Sequence, residues 1–478
     1  MARREKTLAL NKINRTNARK LIHEIIESVS GTDQDFTSGN LGKAILLLSV
    51  PMVLEMVMES IFAVVDIFFV SKLGADAIAT VGITESLMTI IYALGFGLSM
   101  GTTALVSRRI GEKKAGEASN VGFQAILLGA ALSFLIAIPG LFYASDLLRL
   151  MGANTVMQEE MAAYTSIILG GNIVIMMLFI INAVFRSAGD AAISMRVLWM
   201  ANILNIVLDP ILIFGLGPIP AMGIEGAAIA TTTGRGLAVI YQFYLLFNGH
   251  KRVQLDIRKL KVDFPVMRQL IRLSLGGIGQ NIIATSSWIG LVRIIAEFGS
   301  VAMAGYTIAI RIVIFSLLPS WGIANAAATL VGQNLGAKKP DRAERSVWVT
   351  GKVNMILLCL VGIIFAWNPS FYVGLFTQDH AIIHSGAQAL RIISIGMLAY
   401  GYGMVMVQSF NGAGDTITPT WINFFCFWML EIPLAYLLAM SMGMGEKGVY
   451  YAILISESVL SLVAFILFRR GKWKLKEV

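Results

Sequence analysis

Charge is what this sequence has least of. Of its 478 residues only 14% are Asp, Glu, Lys or Arg, against about 25% in ordinary soluble domains. Hydrophobic residues make up 56% of the chain and the mean hydropathy is +0.73. A water-soluble globule is excluded as its main body. Cysteine is nearly missing: Cys359 and Cys426 both fall inside apolar runs, which argues against a disulfide framework and a metal site. The start MARREKTLALNKINRTNARK has no apolar stretch before a cleavage site, so no signal peptide is expected there. Nor does an apolar run contain a serine nucleophile elbow, an Asp-rich pair or a metal-spaced His pair. An intramembrane enzyme is therefore not the reading.

Long hydrophobic runs are what the chain has in abundance. Stretches such as AILLGAALSFLIAIPGLFYA and VNMILLCLVGIIFAW recur at the length of roughly 20 residues needed to cross a bilayer. Twelve spans are expected, near 44–70, 86–106, 122–144, 162–185, 197–216, 224–247, 270–296, 303–331, 349–367, 387–410, 418–440 and 449–468. The fold class is an all-α integral membrane protein. The formal net charge of +9 does not point to nucleic acid, because its bases gather after even-numbered spans, in SRRIGEKK, GHKRVQLDIRKLK, GAKKPDRAER and RRGKWKLK. By the positive-inside rule both termini and the long linker are cytoplasmic. Leu21, Ile22, Ile25, Ile26 and Val29 recur at helical spacing; the expected alternatives are an amphipathic helix on the membrane surface or a frayed tail.

The chain also repeats itself. At an offset of 225 residues GLSMGTTALVSRRIGEKK (97–114) overlies GIANAAATLVGQNLGAKK (322–339), and the AGD at 188–190 overlies that at 413–415. Each repeat holds six spans, an even number, so both enter the membrane from the same side. The pseudo-two-fold axis then runs along the membrane normal, as in parallel-repeat transporters. The expected organisation is a tail over 1–40, with lobes at 41–247 and 268–470 joined by a basic linker at 248–267. A short tail follows at 471–478.

Against this apolar background the acids stand out. Glu55, Glu59 and Asp66 project within roughly 40° of one another around a helix. An ionised acid at mid-bilayer costs at least about 2.5–3.5 kcal/mol, so that face must meet water or protein. The fifth span adds Asn205 and Asp209, four apart and followed by Pro210. Asn182 and Thr231 could add oxygens for Na+ or, as the bland alternative, merely join helices by hydrogen bonds. The second half lacks these acids: Asp66, Glu55 and Glu59 correspond to Leu291, Gln280 and Ala284. Coupling chemistry is therefore expected in the first half, with Glu431 a secondary cavity candidate and Glu457 assigned no role. Arg293 and Glu297 are spaced as a structural i, i+4 pair, and DHAIIH (379–384) reads as a solvated helix start.

These segments resemble the multidrug and toxic compound extrusion (MATE) transporters. The likeness rests on VPMVLE…VVDIFFVSKLG, NIVLDPILIFG, GIEGAAIAT, LVGQNLGAKKPDRAERS and FNGAGDT. It implies two six-helix lobes and export of cationic or amphipathic molecules in exchange for H+ or Na+, with no other cofactor. Carried over by motif, the coupling residues are Asp66, Asn205, Asp209 and Asn182, with Thr231 less securely matched. Glu55, Glu59 and Glu431 are candidate cavity carboxylates. The absence of acids from the seventh span makes the chain look more like the DinF-like branch than the NorM-like one. The partners implied are small molecules and membrane lipid, with a monomer as functional unit and a prokaryotic cytoplasmic membrane as location. A flippase for lipid-linked precursors is the alternative; it would need a large cationic groove, and the sequence offers few buried bases beyond Arg293 and Arg311.

Overall fold

A computed structural model describes residues 20–248, 252–256 and 261–478. The first nineteen residues of the tail, and 249–251 and 257–260 of the linker, lie outside the described residues. Among the described residues twelve long helices carry the fold. The first half holds α1 (Leu41–Ser71), α2 (Ala75–Gly111), α3 (Ala115–Phe142), α4 (Ala162–Ala188), α5 (Ala191–Phe214) and α6 (Gly223–Asn248). The second holds α7 (Phe264–Ala296), α8 (Ser300–Gly336), α9 (Pro340–Trp367), α10 (His380–Gly412), α11 (Ile417–Ser441) and α12 (Glu446–Arg469). Among the described residues nine of these meet length and hydropathy criteria for a membrane span, and α1, α6 and α7 complete the twelve.

Local chemistry sets the helix ends. Asn40 caps α1 by accepting from the Lys43 N–H, Asp263 caps α7 by accepting from Val266, and Asp379 caps α10. Asp379 thus begins a helix, and His384 bonds Gln388 at 2.6 Å. The second helix of each lobe runs for 37 residues, well beyond the apolar segments 86–106 and 303–331. Hydropathy marks the part of a helix that suits lipid, whereas backbone hydrogen bonding continues through polar turns bearing Asp76, Thr80, Thr84 and Glu85. Gly171 interrupts α4, and α11 is wound as π-helix over Phe424–Glu431 and Leu437–Ser441. Such wide turns change which face later residues present.

Each half closes around its own core, one rich in Leu105, Met176, Ile180 and Phe185, the other around Tyr306, Leu390 and Tyr450. Between the halves the repeat becomes geometry. Gly97 and Gly322, 225 positions apart, each meet the first helix of the opposite lobe. A methyl on Gly97 would come 2.7 Å from the Ser274 carbonyl, and one on Gly322 would come 2.7 Å from the Met52 carbonyl. At the last residues of α2 and α8, Gly111 faces the Gln333 carbonyl while Gly336 faces that of Arg108. Positions 108 and 333 are themselves 225 apart, so these are two copies of one contact across the pseudo-two-fold axis. In a bilayer, close approach of small residues supplies much of the association between helices; α8 buries Gly322, Ala324, Ala326, Ala327, Ala328, Gly332 and Gly336 for this purpose.

All these contacts lie toward the basic loops, and both tails reinforce that end. Residues 20–30 are helical, with Leu21, Ile22, Ile25 and Ile26 exposed. The segment that follows buries Phe36 completely and is held from all sides: Lys113 of the first half pairs with Asp35 at 2.6 Å, Arg252 of the linker reaches the Gln34 carbonyl at 2.7 Å, Lys339 that of Thr37 at 2.8 Å, and Arg342 that of Ser38 at 2.7 Å. The last residues cross back. Trp473 is buried, Lys474 pairs with Glu344, Lys476 pairs with Asp415 at 3.3 Å, and Arg108 of the first half donates to the Lys476 carbonyl.

Candidate functional site

Between the lobes lies a cavity of about 490 Å³, lined from both halves. Glu55 and Glu59 of α1 line it, and so do Gln280 and Ala284, their repeat counterparts on α7. Phe96 meets its counterpart Trp321 edge to face across the axis, with ring centroids 6.4 Å apart. The two walls nevertheless differ. In the first lobe Glu55 pairs with Arg186 of α4 at 2.7 Å, and Glu59 pairs with Arg235 of α6 at 3.1 Å. At the equivalent places of the second lobe Gln280 and Asn411 exchange hydrogen bonds at 3.0 and 3.1 Å, while Ala284 and Leu460 are apolar. The scaffold is repeated and the charge is not.

These bases correct an expectation. Arg235 is buried and Arg186 half-buried in their pairs, whereas Arg293 is exposed in a 2.7 Å pair with Glu297 and Arg311 is exposed as well. Glu431 is also not among the residues lining the cavity. It is 4% exposed, packed between α11 and α12 beside Ser456 and Glu457. The π-wound run leading up to it turns the side chain into the lobe.

Behind the Glu59–Arg235 pair, inside the first lobe, sits the second cluster. Asp209 is fully buried. With the Asn205 amide oriented to place donors against acceptors, its nitrogen donates to Asp209 Oδ2 at 2.9 Å. Its oxygen then accepts from the Thr231 hydroxyl at 2.9 Å and the Thr231 N–H at 3.1 Å. Asp66 is half-buried and has no hydrogen-bond or ion-pair partner among the described residues, yet lies near enough to Asp209 to interact electrostatically. Tyr164 is buried beside both. Asn202 of α5 ties this region to the cavity by donating to Glu59 at 3.1 Å. The structure thus brings Asp66, Asn205, Asp209 and Thr231 together. It places Asn182 elsewhere, on the cavity wall, accepting from Gln242 at 2.7 Å.

Glu85, Tyr92 and Tyr164 escaped sequence reasoning. Glu85 of α2 is an electrostatic neighbour of Asp66. Its turn lies at the start of an expected span, where an acid passes for a membrane-edge residue. Arg186 and Arg235 did leave a signal: a base within an apolar helix is itself an intramembrane charge.

A duplicated twelve-helix membrane body with a cavity on its internal axis is a transporter rather than an enzyme. The family model described as MatE matches residues 51–211 and 278–437. The chain belongs to the MatE family. It is 27% identical over 447 residues to a probable multidrug resistance protein NorM of Thermotoga maritima, covering 91% of this chain and 94% of that one. It is 25% identical to a FAD transporter of Shewanella oneidensis, covering 91% and 95%. Among solved structures, the outward-facing conformation of a multidrug resistance MATE family transporter of the MOP superfamily superposes with a TM-score of 0.86. That pair is 26% identical and covers 92% of this chain and 98% of the other.

Proposed function

We propose that this protein is a secondary active antiporter that exports cationic or amphipathic small molecules in exchange for H+ or Na+. The observation that carries the reading is the carboxylate pair inside the first lobe: Asp209 buried against Asn205 and Thr231, with Asp66 nearby and unpartnered among the described residues. A small cation taken up there neutralises charge that is costly in a low-dielectric lobe. Neutralisation also changes what Arg235 feels, since Glu59, Asp66 and Tyr92 all interact with it. Through that arginine the ion site reaches the cavity wall. Coupling follows if the ion favours one lobe arrangement and substrate the other, because a ligand shifts an equilibrium only through its differential affinity for the two states.

With the basic loops and termini in the cytoplasm, as the charge distribution favours, the tight glycine contacts close the cytoplasmic side. The state described is then outward-facing. The flippase alternative finds no support, since each cavity arginine is already neutralised by a glutamate and no open cationic groove remains for a pyrophosphate among the described residues.

The test is transport in proteoliposomes under an imposed pH gradient, then a Na+ gradient, with fluorescent dyes as substrates. Asp66→Asn and Asp209→Asn should each lower ion-driven efflux at least about tenfold, the factor given by about 1.4 kcal/mol of lost differential binding. Both variants should still insert and fold. Gradient-driven efflux near that of the unaltered protein in both variants would sink the mechanism.

A further inference from the structure

We propose that the helix of residues 20–30 is a surface anchor that seats on an anionic lipid leaflet and fixes the amino-terminal latch there. The inference goes beyond transport and starts from an inverted orientation. Leu21, Ile22, Ile25 and Ile26 share an arc of about 140° around the helix, and all four are exposed, Ile26 at 58%. Glu24, Glu27 and Ser28 occupy the opposite arc, and this polar side is the one packed on the protein. Ser28 is buried, Glu27 pairs with Lys43 of α1 at 2.8 Å, and Arg196 of α5 donates to the Ser30 carbonyl at 3.3 Å. A helix on a water-facing surface does the reverse and turns its apolar stripe to the core. Four large aliphatic side chains on one outward face ask for an apolar medium.

The place of the helix identifies that medium. Arg196, Trp199, Ile203 and Val207 lie within about 60° of one another around α5, and all four are exposed. On a helix that crosses a bilayer, such a face meets acyl chains. Arg196 stands at the end of this face, near the start of α5 at Ala191, where a guanidinium reaches the headgroups while its stem stays in apolar surroundings. The helix bonded to Arg196 therefore lies at headgroup level, beside the lipid-facing surface of α5.

Charge selects among lipids. Lys20 and His23 are exposed on the helix and Arg196 is exposed next to it. The sequence leading in carries Arg3, Arg4, Lys6, Lys12, Arg15 and Arg19 against one acid, Glu5. An apolar helical face and a basic run are the two signals that together hold a segment on an anionic leaflet. The helix continues directly into residues 32–39, whose carbonyls bond Arg252, Lys339 and Arg342. An anchor at 20–30 thus ties the lobe-bridging latch to the bilayer.

The test places a bimane fluorophore on His23→Cys in the full chain, with Cys359→Ser and Cys426→Ser, so that all four apolar side chains remain. Nanodiscs hold phosphatidylcholine and phosphatidylglycerol in fixed proportion, and a spin-label quencher is carried on one lipid or on the other. No substrate and no ion gradient is present, so the result is independent of antiport. Both lipids should quench the fluorophore. Phosphatidylglycerol should be enriched beside it at least about fivefold, the factor that one base contributes near an anionic surface. Ile22→Ser/Ile26→Ser should lose most of the quenching from both lipids, with the intrinsic tryptophan fluorescence of the body unchanged. Equal quenching by the two lipids overturns the anionic assignment. A fluorophore that neither lipid quenches lies in water or against another protein surface, and overturns the anchor. A double variant that keeps full quenching overturns it too, because the apolar face is then not what inserts.

Discussion

At the scale of single residues, the decisive positions are those where a side chain would collide or would lose its only partner. Gly111 and Gly336 occupy two copies of the same contact, where a methyl would run into the carbonyls of Gln333 and Arg108. These carbonyls belong to helix backbones and cannot move aside as a flexible side chain could. Gly111→Ala or Gly336→Ala should push the lobes apart at the basic end, at a cost of about 1–3 kcal/mol to the closed arrangement. Distances between spin labels on α2 and α8 would lengthen there, and an unchanged distribution would refute the account. Arg235 is the second such position. Among the described residues Arg235→Met leaves Glu59, which is about a third exposed to the cavity, with only Asn202 as partner, and the loss should cost about 1–3 kcal/mol, less than for a fully buried pair. The expected outcome is a lower thermal midpoint, largely recovered in Glu59→Gln/Arg235→Met.

At the scale of elements, the helix ends and tails do more than connect. Trp473 is buried and stacked on Phe468 with ring centroids 4.7 Å apart, which anchors the last residues so that Lys476 and Val478 can meet Arg108 and Arg109 of the other lobe. Trp473→Ala should cost about 3–5 kcal/mol of local stability. In a limited-proteolysis experiment it should expose residues 472–478 while the helices stay protected. Elements were also where sequence reading met its limits. Span existence followed from hydropathy, because the transfer energy of a run is a local sum. The break at Gly171 and the π turns of α11 did not, because winding responds to what packs alongside. That winding is why Glu431 ends inside the second lobe.

At the scale of the whole molecule, both tails tie the two lobes together on one side. Asp35 takes part in that latch. Burial pushes its carboxyl up, but the Lys113 ammonium and the Thr37 hydroxyl and N–H outweigh burial and hold it at about 2, below its ordinary 3.8. A depressed acid contributes stability above its unfolded pKa, and that contribution disappears as pH falls from about 4 through about 2. The latch should therefore stay docked across the range in which transport operates. An environment-sensitive label at the exposed position of Ser38→Cys should give one signal from pH 8 to pH 5 and change only below about pH 4. A change between pH 5 and 8 would mean another group controls docking.

By itself the sequence determined that this is a membrane protein of twelve spans, duplicated at an offset of 225 residues, with its acids in the first half. Those properties are sums over neighbouring residues or comparisons between segments, and they need no knowledge of what faces what. Only the tertiary structure decided how the charges are matched. Glu55 meets Arg186 across 131 residues and Glu59 meets Arg235 across 176. Which faces of α1, α4 and α6 come together depends on the packing of the entire lobe. That packing turns a stripe of isolated acids into a neutral, charge-paired wall, and leaves Asp66 and Asp209 in the interior behind it.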